Sequence, residues 1–83
     1  MILELDIFFL TTEQISLEEN GIDVPFKDMN LKQVTFYDIS YITPRTDEPQ
    51  YTIIGSGGME LTCNEKIEDV KKKIHEARIF KFN

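Results

Sequence analysis

One cysteine in 83 residues, no apolar run long enough for a membrane and fewer basic than acidic side chains set the first limits on this chain. Cys63 has no partner in the chain, which excludes a small secreted domain stapled by disulfides and points to a reducing compartment, the cytoplasm. No stretch approaches the ~18–20 apolar residues that a helix needs to cross a bilayer. Residues 1–10 are apolar enough to resemble a signal sequence, but they lack a positive start and are interrupted by Glu4 and Asp6. They read instead as a first β-strand. Nine Lys and Arg against 15 Asp and Glu leave a net charge of −6. That balance opposes unspecific binding to phosphate backbones, which depends on clustered cations releasing counterions. Repeats, linkers and low-complexity tracts are also missing, so residues 1–83 form one domain. So short a chain buries only about 60–65 % of the surface it exposes when unfolded, and its core is thin.

What is present is ordinary for a folded domain: 41 % hydrophobic and 29 % charged residues. Nine Phe and Tyr supply much of the core area. Residues 2–9 alternate, with Leu3, Leu5, Ile7 and Phe9 on one side, the mark of a half-buried strand. Asn20-Gly21 is a strong hairpin signal. A two-residue loop there would pair Leu17 with Val24 and Ile15 with Phe26, placing the apolar members on one face. The competing reading is a short helix from Thr12 that ends at Gly21. Pro25 has no N–H to donate, so a strand over 22–26 would be an edge or would end there. Residues 27–32 read as a turn or a single helical turn, 34–36 and 40–43 as strands, and 44–49 as an exposed loop between two prolines. Residues 51–54 and 59–62 are strands flanking the turn Gly55-Ser56-Gly57-Gly58.

Residues 64–78 read as one amphipathic helix. At ~100° per residue, Ile67, Val70, Ile74 and Ala77 fall within a stripe about 80° wide. Acids lead and bases follow, which suits the helix dipole. Glu68–Lys72 and Asp69–Lys73 are spaced as i,i+4 ion pairs. Asn64 is a candidate N-cap, and Thr62 with Glu65 a competing capping box. Behind the helix, residues 79–82 alternate again and suggest a short final strand. The fold class expected is therefore α+β: a small, curled antiparallel sheet of four to six strands with one C-terminal helix packed on it.

The residues give no catalytic set. Twelve helical residues would hold Cys63 and His75 about 18 Å apart, against the ~3 Å that a nucleophile and its base require. His75 lacks a second histidine for zinc. The glycine turn has neither the spacing of a dinucleotide fingerprint nor the Gly-Lys-Ser/Thr of a P-loop. Tyr37, Tyr41 and Tyr51 could stack bases, but only Lys32 and Arg45 lie near them, and packing is the simpler role. No enzyme activity, cofactor or metal is expected.

Val34-Thr-Phe, Asp38-Ile39, Ile42-Thr43-Pro44, Tyr51-Thr-Ile-Ile, Gly57-Gly58 and the run from Glu65 to Val70 together resemble the FlbD-like family of small flagellar and swarming-motility proteins. The likeness spans residues 34–74; Lys66 stands where that pattern favours a serine cap, and the first thirty residues have no counterpart. Bacterial PH-like and LytTR-like endings are similar too, although the basic C-terminal segment of LytTR domains is missing. The resemblance implies a small non-enzymatic accessory protein and carries over no site residues.

Two functions are expected. The first is a protein–protein interaction module that self-associates through a strand edge, either near residues 79–82, with Phe80 and Phe82, or in the N-terminal hairpin. The second is an acidic inhibitor or mimic, of the phage-antagonist type, that occupies a basic groove through Glu13, Glu18, Glu19 and Asp23 with Asp47 and Glu48. Arg45 belongs to the same loop as Asp47 and Glu48 and is a further candidate contact. The expected partner is a protein, including a second copy of the chain; neither membrane nor nucleic acid is expected.

Overall fold

The computed structural model describes residues 2–81, with side chains through Arg78. The first alternating segment forms strand β1 (Leu3–Phe9), burying Leu3, Leu5 and Ile7 and exposing Glu4 and Asp6. It pairs along its length with β2 (Asn30–Phe36), so that Leu3 faces Phe36 and Leu5 faces Val34. Next come β3 (Tyr41–Pro44), β4 (Thr52–Ser56) and β5 (Met59–Cys63), and the chain closes on helix α2 (Ile67–Lys81). All pairings are antiparallel, and the five strands lie in the order β2-β1-β5-β4-β3. This is the α+β class expected, with the helix at the C-terminal end.

The sheet must curl. Five strands about 4.8 Å apart would put flat outer edges roughly 19 Å from each other. Those edges, β2 and β3, are joined by residues 37–40 alone, and five Cα steps reach about 18 Å when fully stretched. The link is also clasped to β4: Ser40 donates its N–H to the Gly55 carbonyl (2.7 Å), and Ser56 donates its hydroxyl to the Asp38 carbonyl (2.6 Å). The concave face collects the core of Leu3, Leu5, Ile7, Phe36, Ile54, Cys63 and Val70, with Ile42, Leu61 and Ile74 packed against it. Thr52 is fully buried, and its hydroxyl donates to the Glu65 carbonyl (2.7 Å), so the strand–helix link leaves no orphan polar group there.

Between β4 and β5 the turn is tighter than its four small residues suggest. Ser56 pairs with Met59, leaving Gly57 and Gly58 as a two-residue loop with φ of +56° and +79°. Both central residues of such a hairpin loop need positive φ in its type I′ form, which glycine adopts at little cost. Gly55 has a different reason. The ring of its cross-strand partner Tyr41 lies over it, and the Tyr41 hydroxyl donates to the carboxylate of Glu60, the residue paired with Gly55 on the other side. A Cβ at Gly55 would run into that ring. Gly55→Ala should therefore lower stability by about 1–3 kcal/mol, as overpacking does, and a urea melt within ~0.3 kcal/mol of the parent would contradict the placement.

Helix α2 follows the predicted stripe: Val70 is buried and Ile67, Ile74 and Ala77 half-buried. Three details differ from expectation. The first intrahelical bond runs from the Val70 N–H to the Lys66 carbonyl (3.1 Å), so Lys66, not Asn64 or Thr62, holds the N-cap position. The i,i+4 pairs are replaced by one bridge from Lys73 to Glu65 (2.8 Å), which holds the Lys73 ammonium above its usual range. The helix also runs through residues 79–81, where a strand was expected, and Phe82 lies outside the described residues. Nothing between Ala77 and Lys81 offers a stop: glycine and proline are both missing there.

Lys66 lacks a side-chain oxygen to accept a helix N–H and places a cation at the positive end of the dipole. Lys66→Ser should raise stability by about 1 kcal/mol. An unchanged or lowered urea midpoint would remove Lys66 from the cap.

Of the two readings of the N-terminal segment, the hairpin is overturned and the short helix from Thr12 ending at Gly21 holds. Residues 12–19 form helix α1 (Thr12–Glu19), and 22–26 are not a strand. Thr11 caps α1 through the Gln14 N–H (3.2 Å), while the Gln14 side chain accepts from the Thr11 N–H (2.9 Å), a complete capping box. Gly21, at φ +81°, ends the helix in a Schellman arrangement: its N–H bonds Glu18 and that of Ile22 bonds Leu17. Gln14 ties α1 to the single 3₁₀ turn Phe26–Asp28 through the Asp28 carbonyl (2.8 Å).

Candidate interaction surface

Five of the six acidic candidates are exposed and Glu48 is half-buried. Glu13 opens α1, Glu18 and Glu19 close it, and Asp23 follows in the link to the 3₁₀ turn; all four are exposed. α1 buries none of its residues. In the loop after β3, Arg45 is half-buried and engaged three ways. Its Nε lies 2.9 Å from Asp47 Oδ1, its Nη1 donates to Thr62 Oγ1 (3.0 Å), and its guanidinium sits 4.7 Å from the Phe26 ring centre. Arg45 holds the Asp47 carboxyl below its usual range. Glu48 contributes its backbone carbonyl, which accepts from the Tyr51 N–H (3.0 Å). Phe80 lies within α2, and its side chain, like all of Phe82, is outside the described residues.

Beneath Arg45, on the convex side of the sheet, Phe8, Phe26 and Tyr51 meet with ring centres 4.9–5.4 Å apart in tilted and edge-on contacts. Two of the three tyrosines considered for stacking are thereby engaged, Tyr51 here and Tyr41 over Gly55. Tyr37 is 70 % exposed.

Cys63 is fully buried, and desolvation pushes its thiol up to about 11. A thiol held protonated is a poor nucleophile. His75 is exposed on α2, beside a cleft of about 340 Å³ bordered by Tyr41, Lys71 and Arg78. Among the described residues, no three His, Cys, Asp or Glu side chains converge on a point that could hold a metal ion, and no helix is long and apolar enough to cross a membrane.

The two outer strands are unlike each other. β3 is four residues long, ends in Pro44 and runs into the Arg45 loop. Short length and proline are the usual devices that keep an edge from pairing with a foreign strand. β2 has seven residues, no proline and a single charge, Lys32. Among the described residues it bonds no strand but β1, and Leu31 on it is 44 % exposed. Residues 29–37 carry no acid although Asp28 and Asp38 flank them. Beside this edge the part of the concave face that α2 leaves uncovered forms an apolar groove of about 600 Å³, lined by Phe9, Val34, Phe36, Met59 and Leu61. The open edge is therefore at β2. The local pattern shows a strand only over 34–36; residues 30–32, expected in a turn, join β2 because β1 pairs with all seven residues, with Leu5 opposite Val34 and Ile7 opposite Lys32.

Against protein-family models, characterised proteins and solved structures the chain gives no match. Its class is thus defined by its own geometry: a curled five-stranded α+β domain with one guarded and one open edge.

Proposed function

We propose that this protein is a non-enzymatic interaction module that takes up an added β-strand along β2. The observation that carries the reading is the contrast between the two edges: β3 is short and closed by proline, whereas β2 is long, carries a single charge and, among the described residues, has no partner strand on its outer side. An edge strand offers a ladder of main-chain N–H and C=O groups, and neighbouring apolar pockets give such pairing its specificity. Phe9, Met59 and Leu61 stand ready for that second role.

A display library of ten-residue peptides selected on the protein tests this. Selected peptides should slow amide exchange of residues 30–36 and lose affinity at least tenfold when Leu31 and Thr35 are both replaced by lysine. Peptides that bind equally well to that variant would reject β2 as the surface.

The second reading, an acidic mimic, is favoured by α1, which presents Glu13, Glu18 and Glu19 while burying nothing. It predicts binding to a basic protein that collapses in 1 M salt, where the Debye length falls to ~3 Å. Strand addition survives that salt.

A further inference from the structure

Resting on the strand-addition reading, we infer that the strand β2 takes up is β2 of a second copy, paired antiparallel about a two-fold axis at Gln33. The first argument is charge. Two copies that each carry −6 repel one another generally, and a self-contact is tolerable only where acids are missing. Residues 29–37 are such a stretch, and they are the edge.

The second argument is register. Side chains alternate between faces, so a paired strand keeps its apolar set on the concave side only if the numbers of opposed residues sum to an even value. A sum of 64 sets Lys32 directly against Lys32 of the other copy, a like-charge pair that destabilises. A sum of 68 overlaps only residues 32–36. A sum of 66 overlaps all seven residues, 30–36, and opposes Asn30 to Phe36, Leu31 to Thr35 and Lys32 to Val34, with Gln33 meeting its own symmetry mate. That register joins the two apolar grooves beside β2 on one side of a ten-stranded sheet.

The third argument is closure. An isologous contact uses the same patch twice and stops at two copies, whereas a contact between different patches extends without limit. With β3 short and ended by Pro44, the β2 contact has no second edge from which to grow. The product is a dimer and not a fibre.

Light scattering across a concentration series should give twice the mass of the chain. Leu31 and Thr35 are both exposed, so double variants L31K/T35K and L31E/T35E should stay folded by circular dichroism. Each alone places like charges opposite each other twice and should weaken dimerisation at least 100-fold. Mixed in equal amounts, they should form a heterodimer by native mass spectrometry. A second pair of variants reads the register without adding charge. Gln33→Cys should form an intermolecular disulfide under oxidised glutathione, because directly opposed residues have Cα atoms ~4.5–5.5 Å apart. Leu31→Cys should not, because its symmetry mate is then about 13 Å away along the strand.

A wild-type chain that stays monomeric at millimolar concentration overturns the self-partner, while peptides selected to bind β2 would leave strand addition standing. A dimer untouched by either double variant overturns both. Crosslinking through Leu31→Cys but not Gln33→Cys, or monomers in the mixture, overturns the register.

Discussion

Replacing Ile54 by alanine should cost about 2–5 kcal/mol, a large share of the stability of so small a domain. Ile54 is fully buried in β4, one strand in from the edge, between Ile42 on β3 and Leu61 on β5. Removing its side chain forfeits the transfer energy of the lost carbons and leaves a cavity that hydrogen-bonded strands on both sides cannot collapse to fill. The whole domain holds roughly 4–12 kcal/mol at ~0.05–0.15 kcal/mol per residue, so the variant stands near the edge of folding. Ile74 on α2 is only half-buried. Ile74→Ala should lose about half as much, roughly 1–2.5 kcal/mol, since less apolar area leaves water there to begin with. Urea melts at one fixed protein concentration decide the matter, because self-association makes stability depend on concentration. A loss below ~1 kcal/mol for Ile54→Ala, or a larger one for Ile74→Ala, would move the centre of the core from the sheet to the helix.

The elements legible in the sequence were those whose local pattern and tertiary role agree. β1 alternates because one of its faces is the core, and the glycine pair at 57–58 demands the turn it makes. α2 shows its stripe because Val70 and its neighbours have only one sheet to face. Residues 12–22 admit both a hairpin and a helix because Gly21 fits two structures, and the helix from Thr12 is the one that forms. Positive φ at one glycine serves a type I′ turn and a Schellman helix end alike, and the apolar matching of Leu17 with Val24 was coincidence. The deciding signal is Thr11-Thr-Glu-Gln14, a capping-box pattern that favours the helix. At the C-terminal end, four alternating residues were too short a window: helix propagation from Ala77 and Arg78 costs less than starting a new strand.

The open edge was less legible still. Which strand lies outermost depends on sheet order, and the order follows from which strands the curl brings together, not from any local pattern. The local pattern points to an edge at 22–26 or 79–82, yet no strand forms over 22–26 or 79–81. The residues of β2 were visible as an acid-free stretch, but that meaning appears only once β1 is known to occupy one of its two sides.

The Cys63 thiol of the native protein should react with Ellman-type reagents at pH 8 at least 100-fold more slowly than the thiol of the urea-unfolded chain. Burial moves the thiol from an ordinary 9.0 to about 11, which alone lowers the thiolate fraction about 100-fold at that pH. With no exposed surface on Cys63, the reagent must wait for the chain to open, and the rate then reports the open population. Ile54→Ala should raise it by roughly 30-fold to several thousand-fold, the same 2–5 kcal/mol converted at ~1.4 kcal/mol per tenfold. Alkaline titration gives a second reading. Because the folded thiol titrates above the unfolded one, its contribution is fully present below pH ~9 and is lost as pH rises toward ~11, on the order of 2–3 kcal/mol in total. The Lys73 ammonium and the Tyr41 hydroxyl are raised as well and act in the same direction, so the thiol's share is read by difference. In Cys63→Ala the fall in stability between pH 9 and 11 should be shallower than in the parent by roughly 2 kcal/mol, the part of that total lost inside this window. Parallel curves, or a native thiol that reacts at the unfolded rate, would mean that Cys63 is not sealed between β1 and β4.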